Sequence, residues 1–264
     1  MMDMNSAVSI LRWHLDMGVD EAIGEVPVDR FALIDAPVMP IAPKQPITPR
    51  PAAAAAAPVP PASDEMVKAA RDLASQAKDL ESLRAALVGF DGCGLKKTAT
   101  HLVFADGNPS ARLMLVGDVP GALEDRQGVP LVGPAGELMD RMLASIGVAR
   151  RDVLIANTVW WRPPGNRTPT AQEVAMCLPF MERLIELVAP DILVISGGLT
   201  AKALLSESQA VGRLRGRWFA YRPPALSKPI DATVMFHPDS LLKTPAQKRA
   251  AWQDLLMIKE KLNV

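Results

Sequence analysis

Residues 113–125 read Leu113-Met-Leu-Val-Gly-Asp-Val-Pro-Gly-Ala-Leu-Glu-Asp125. An apolar run, Leu113 to Val116, breaks at Gly117 into a turn containing Pro120 and Gly121, and the acids Asp118, Glu124 and Asp125 follow it. A buried parallel strand that ends in a Gly-rich turn is where open α/β sheets place their ligands. Glycine lets the chain approach a ligand closely, so backbone N–H groups of such a turn can point at it. An ordinary strand-to-loop turn with solvated acids has the same pattern, so this stretch needs the rest of the chain to give it meaning.

Working outward, three more apolar strand candidates follow: Val153–Ala156, Ile192–Ile195 and Thr233–Phe236. Helical patterns lie between and around them, at Asp64 to Leu87, Gly136 to Ile146, Ala171 to Val188, Thr200 to Leu205 and Ala246 to Leu262. Thr170 with Glu173 three residues on forms a capping box for the third of these. Strands alternating with helices indicate βαβ units. The expected fold is a three-layer α/β/α domain with a central four-stranded, mostly parallel sheet. In such a sheet Asp118, Asn157, Gly197 and His237, each following a strand, converge on one edge.

The chain has 264 residues, about half of them hydrophobic, which fits one domain with a tail. Residues 1–35 include a short helical pattern at 5–18 with Trp13 and His14. Residues 36–63 hold 9 Pro and 9 Ala in 28 positions, the composition of an extended spacer. The folded domain is expected at 64–264. The formal net charge is zero. Residues 1–63 carry 4 Lys/Arg against 7 Asp/Glu, leaving 25 against 22 for the remainder, too small an excess to argue for nucleic acid by itself. Two cysteines exclude a four-cysteine metal site within one chain. No apolar run is long enough for a membrane span and no secretory signal is recognisable, so a cytoplasmic location is expected.

The candidate chemistry sits at the strand ends. Asn157 offers a carbonyl acceptor and an amide donor at one point, the pair that reads an amide-like base edge. His237 can donate to an oxygen that gains charge in a transition state. Arg162, Arg167, Arg213, Arg215 and Arg217 are candidates for phosphate contacts. Each has a plainer reading: a loop-capping Asn, a turn histidine, a solvated basic rim.

Taken together these stretches resemble the uracil-DNA glycosylase superfamily, most closely its family 4 type. The resemblance rests on Phe104-Ala-Asp-Gly-Asn-Pro109, Gly117-Asp-Val-Pro-Gly121, Glu124-Asp-Arg-Gln-Gly128, Leu131-Val-Gly133, Arg162-Pro-Pro-Gly-Asn-Arg-Thr-Pro169 and His237-Pro-x-x-Leu-Leu242. It covers roughly residues 90 to 260. It implies a DNA repair enzyme that flips uracil out of the helix and hydrolyses its bond to deoxyribose, leaving free uracil and an abasic site. By resemblance, Asn157 reads the uracil O4 and N3 edge, and His237 stabilises charge on O2. Gly117, Val119, Pro120 and Gly121 lie against the base, and Leu131 covers its face. Asp118 or Glu124 positions the attacking water and balances the oxocarbenium-like sugar. Arg162, Asn166 and Arg167 approach the DNA backbone, and Ser240 and Leu241 press into the groove or the vacated stack. DNA is the expected partner of a monomeric protein, with a protein partner possible through residues 1–35 and no membrane.

The resemblance also implies a [4Fe–4S] cluster on four cysteines. Here Cys93 matches the second ligand and Cys177 the fourth, 16 positions beyond Trp161. Phe90 and Trp161 stand at the first and third, so no cofactor is expected and the two aromatic side chains are expected to fill the cluster's volume. Two further departures are Asp118, where the family carries Glu, and Leu131, where it carries an aromatic residue that stacks on the base. They leave open a shifted base preference, or a glycosylase fold that binds DNA or a repair partner without catalysis.

Overall fold

The computed structural model describes residues 64–263, so the expected segments 1–35 and 36–63 lie outside the described residues. Six strands form one sheet: β1 (Ala105–Gly107), β2 (Leu113–Gly117), β3 (Val153–Asn157), β4 (Ile192–Ser196), β5 (Trp218–Tyr221) and β6 (Ile230–Met235), in the order β1-β3-β2-β4-β6-β5. The four strands read from the apolar runs are the parallel centre, β3-β2-β4-β6. The edges β1 and β5 are antiparallel additions that the sequence reading did not include. Their burial explains this. The central strands β2, β3 and β4 are buried at every position, whereas Ala105–Gly107 and most of Trp218–Tyr221 are partly exposed. A short, half-exposed edge strand leaves no apolar run to find.

The helices are α1 (Asp64–Gln76), α2 (Leu80–Gly89), α3 (Ala122–Gln127), α4 (Gly133–Ser145), α5 (Ala171–Val188), α6 (Gly198–Leu205), α7 (Val211–Leu214), α8 (Pro238–Lys243) and α9 (Lys248–Leu262). The single helix expected over Asp64 to Leu87 is two. The first ends at Gln76 and Asp79 caps the second: its Oδ1 accepts from Ser82 N at 2.8 Å, and Ser82 Oγ accepts in return from Asp79 N at 3.1 Å. This reciprocal cap satisfies two free donors and restarts the helix in a new direction.

Side chains alternate along each strand, so each strand feeds both faces. Met114, Val116, Leu154, Ala156, Leu193 and Ile195 face one core with α1, α2, α5 and α6. Leu113, Leu115, Val153, Ile155, Ile192, Val194 and Met235 face a second core with α4 and α9. Each fully buried large side chain in these layers contributes about 1.5–3 kcal/mol relative to exposure. The same alternation decides what happens at the C-terminal edge. In register, Gly117 pairs with Asn157 on one side and Ser196 on the other. These three therefore belong to the face of α4 and α9, and Asp118, one residue on, belongs to the opposite face. No helix among the described residues is long and apolar enough to cross a membrane.

Candidate active site

At the end of β2 the chain needs a residue without a side chain. A β-carbon on Gly117 would lie 2.6 Å from Asn157 Oδ1 and 3.6 Å from His237 Nε2. The bare Cα thus forms a gap between the carboxamide at the end of β3 and the imidazole that follows β6. Asn157 is 5 % exposed. His237 is the N-cap of α8, and its Nδ1 accepts from Asp239 N at 3.3 Å. A neutral imidazole accepting through Nδ1 carries its hydrogen on Nε2. The cap therefore sets the tautomer and aims an N–H donor at the gap beside Gly117. Ser196, on the same face, has a buried hydroxyl oxygen without a hydrogen-bond partner among the described residues.

The three acids of the opening stretch have three different environments. Asp118 is directed to the other face. Its Oδ1 accepts from Thr200 N at 2.9 Å and Thr200 Oγ1 at 2.8 Å. Thr200 lies in the first turn of α6, whose N-cap Gly197 has no side chain to supply the acceptor. Asp118 thus caps a helix that belongs to a different strand, a contact worth about 0.5–2 kcal/mol. Gly197, at φ 133°, lies so close beneath the Asp118 carboxylate that a β-carbon would overlap it. Thr158 completes the network, 2.8 Å from Thr200 Oγ1 and donating to Gly117 O at 3.1 Å. Glu124, half-buried in α3, folds its carboxylate back over the turn, with Oε2 2.7 Å from where a β-carbon of Gly121 would lie. Asp125 is 4 % exposed and accepts from Thr100 N, Thr100 Oγ1 and His101 N at 2.8, 2.9 and 3.2 Å. It pins the loop before β1 rather than meeting solvent.

In the turn, Val119 packs against the first core, Pro120 is buried and Gly121 is the N-cap of α3. Leu131 is 5 % exposed and belongs to the second core, on the Asn157 face. Its φ is 53°, a left-handed conformation that costs a residue with a side chain about 1–2 kcal/mol.

The expected DNA contacts separate. Arg162 donates through Nε to Asn166 Oδ1 at 2.8 Å, which leaves its terminal N–H groups unused by that bond. Arg167, exposed at the surface, places its guanidinium fork on both carboxylate oxygens of Glu173, at 2.8 and 2.6 Å, and Glu173 in turn forms the capping box of α5 with Thr170. Arg215 is likewise held by the buried Asp254, at 2.9 Å from each carboxylate oxygen. Leu241 is a correction, since it is fully buried; Ser240 and Leu242 are exposed, Leu242 at 40 %. The His-Pro-x-x-Leu-Leu stretch offered two leucines, and only the packing of α8 against α4 selects which faces outward.

Cys93, Cys177, Phe90 and Trp161 lie together in the first core, each at most 3 % exposed. The Phe90 and Phe180 ring centroids are 5.3 Å apart. Both cysteines are free thiols. The hydrogen bond between them holds Cys93 below the ordinary thiol range and, with burial, pushes Cys177 well above it. Two thiols and two aromatic carbon surfaces are not the donor set of a four-thiolate cluster, and the residues present do not fit that group. Among the described residues no three His, Cys, Asp or Glu side chains are grouped to hold a metal ion.

Thr158, Thr200 and Ser196 were not singled out by the sequence reading. Nothing in the local pattern marks them: the partners of Thr158 and Thr200 come from distant parts of the chain, and the Ser196 hydroxyl has none among the described residues.

The family description that matches residues 104–256 is the uracil DNA glycosylase superfamily. Among curated relatives, the type-4 uracil-DNA glycosylase of Pyrobaculum aerophilum is 34 % identical over 183 residues, 68 % of this chain and 92 % of the relative. That of Archaeoglobus fulgidus is 36 % identical over 172 residues, 64 % and 85 % of the two chains. That of Thermotoga maritima is 38 % identical over 157 residues, 57 % and 77 %. With the doubly wound sheet and the polar groups gathered at its C-terminal edge, these matches establish that the chain belongs to the uracil DNA glycosylase superfamily.

Proposed function

We propose that the protein hydrolyses the N-glycosidic bond of uracil in DNA, releasing free uracil and leaving an abasic site. The observation that carries this reading is the gap at Gly117, flanked by the Asn157 carboxamide and the Nε2–H of His237. A carboxamide donates to uracil O4 and accepts from N3–H; cytosine presents the reverse pattern at the same atoms. The His237 donor serves O2, where negative charge grows as the bond to the sugar breaks, so its hydrogen bond is stronger in the transition state than in the ground state. The base must leave the stack to reach such a gap.

Of the two acids the resemblance offers for the water, Glu124 is favoured. Asp118 is engaged by Thr200 on the other face, while the Glu124 carboxylate lies over the turn at Gly121. Ser240, Leu242 and the partly exposed Arg162 meet DNA, with Leu242 the apolar wedge in place of Leu241. Phe90 and Trp161 keep the domain folded without iron, and anaerobically purified protein carries no stoichiometric iron and no brown absorption. A stoichiometric cluster would overturn that. The protein acts as a monomer in the cytoplasm. A tether to a repair partner through residues 1–35 rests on the sequence alone, and deleting residues 1–63 leaves cleavage of naked DNA intact.

The test is cleavage of a labelled oligonucleotide bearing one uracil, single- and double-stranded, after alkali treatment. The full chain cleaves at uracil, and Glu124→Gln slows the step by roughly 10²-fold or more. DNA binding without cleavage would replace this reading with a non-catalytic one. The absence of a stacking ring at Leu131 favours a second reading in which hypoxanthine, xanthine or another deaminated base is also accepted, since base–aromatic stacking is worth about 1–3 kcal/mol. A panel of such bases in the same assay decides it.

A further inference from the structure

We infer that Arg150, which does not belong to the site, is a positioning residue that fixes the base-covering loop and through it the selection of the base. The inference rests on the glycosylase reading above only for what the loop covers. Arg150 opens the short 3-10 turn Arg150–Asp152 that leads into β3, and its side chain runs back toward the loop that joins α3 to α4. Its Nη2 donates to Pro130 O at 2.8 Å and its Nη1 to Leu131 O at 3.0 Å. The remaining donors meet two carboxylates: Nε bonds Asp106 Oδ2 at 2.8 Å and Nη1 also bonds Asp140 Oδ1 at 3.1 Å. One planar fork thus joins the edge strand β1, the helix α4 and two consecutive loop carbonyls. A lysine, a point charge on a flexible stem, cannot hold all four at once.

The loop needs such a hold. Leu131 is left-handed, and a single side chain in that conformation persists only where its surroundings over-determine it. The second constraint is Gly136, where a β-carbon would lie 2.2 Å from Leu131 O. The carbonyl is therefore seated directly on α4 and bonded from the other side by Arg150. The guanidinium is half-buried, at 24 % exposure, and both acids balance its charge. Without Arg150 the two carbonyls lose their donors and Leu131 relaxes, shifting the residue that the glycosylase reading sets against the base.

The experiment compares Arg150→Ala, Arg150→Lys, Leu131→Gly and the double variant Arg150→Ala/Leu131→Gly in the full chain. Hydrogen exchange is read across residues 128–136, and cleavage of single-uracil oligonucleotides is read as kcat and KM. We expect exchange in 128–136 to quicken by about tenfold or more in Arg150→Ala while the central strands keep their protection. Uracil kcat/KM falls about 10- to 100-fold, because a reacting group displaced by an ångström costs on that order. In the Leu131→Gly background, where strain and side chain are both gone, the same substitution costs no more than roughly twofold. Arg150→Lys is intermediate in both readouts. Unchanged exchange in 128–136 would overturn the inference, and so would an equal loss of activity in both backgrounds. If Arg150→Ala does not fold, Arg150→Lys carries the test, and wild-type behaviour in both readouts then overturns it. If the wild-type protein leaves uracil uncut, the functional reading fails, while the exchange measurement still decides the clamp.

Discussion

At the C-terminal edge of the sheet the two faces treat their polar groups in opposite ways. On one face Asp118, Thr158 and Thr200 bond one another, the β2 carbonyl and the first turn of α6, so each has its partner within the protein. On the other, the Nε2 of His237 and the Asn157 carboxamide flank a gap held open by a glycine, and the Ser196 hydroxyl is buried without a partner among the described residues. Buried polar groups are nearly always paired in folded proteins, so the Ser196 hydroxyl, unpaired among the described residues, agrees with the proposal that this side takes the base. The paired cluster is structure. The difference changes the weight of the opening stretch: its most conspicuous acid, Asp118, supports a helix, and in the proposed reading the chemistry passes to Glu124 at the other end of the stretch and to Asn157 and His237 from other elements.

The comparison breaks most easily at His237. His237→Ala removes a transition-state donor and lowers the single-turnover rate by roughly 10²–10³, with DNA binding nearly unchanged. An unaltered rate would mean that the gap is not the reacting site. Asn157→Ala comes next. It loses roughly 1–3 kcal/mol of discrimination between uracil and cytosine, and Asn157→Asp admits cytosine. Competitive cleavage of uracil and cytosine oligonucleotides reads this, and an intact preference would remove Asn157 from base reading.

Asp118→Asn sharpens the contrast from the satisfied face. It weakens a helix cap, so it costs about 0.5–2 kcal/mol in urea unfolding while slowing the chemical step far less than Glu124→Gln does. A loss of rate equal to that of Glu124→Gln would return Asp118 to the chemistry. Ser196→Ala has the smallest expected effect, within about 1 kcal/mol of neutral and on the stabilising side, because it removes a hydroxyl with no partner among the described residues. If it instead lowers uracil cleavage with stability unchanged, the hydroxyl finds its partner in the bound base.

Arg162 and Arg167 show how a motif outruns its geometry. Both stand in one Pro-Pro-Gly-Asn-Arg loop and look alike as phosphate ligands. Arg167 is drawn into a bidentate pair with Glu173, which the capping box of α5 has already placed at the first turn. The capping box was readable, but its capture of a distant-looking arginine was not. The same holds for Leu241 and Leu242, adjacent in sequence and opposite in exposure.

What the sequence determined by itself were the features carried by local rules. The apolar runs Leu113–Val116, Val153–Ala156 and Ile192–Ile195 name their strands because a strand buried on both faces has no room for polar residues. The Thr170–Glu173 box starts its helix, and Gly117, Asn157 and His237 stand at the strand ends where open α/β sheets place their ligands. The tertiary structure alone decided direction and partnership. Strand alternation sends Asn157 to one face and Asp118 to the other, a consequence of register that no single strand contains. The β5 edge, the break at Asp79, the cap that Asp118 lends to α6 and the Arg150 hold on Leu131 join residues brought together only by folding. Hydrogen bonds and packing are satisfied in space, not along the chain, and the site depends on which of them the fold leaves open.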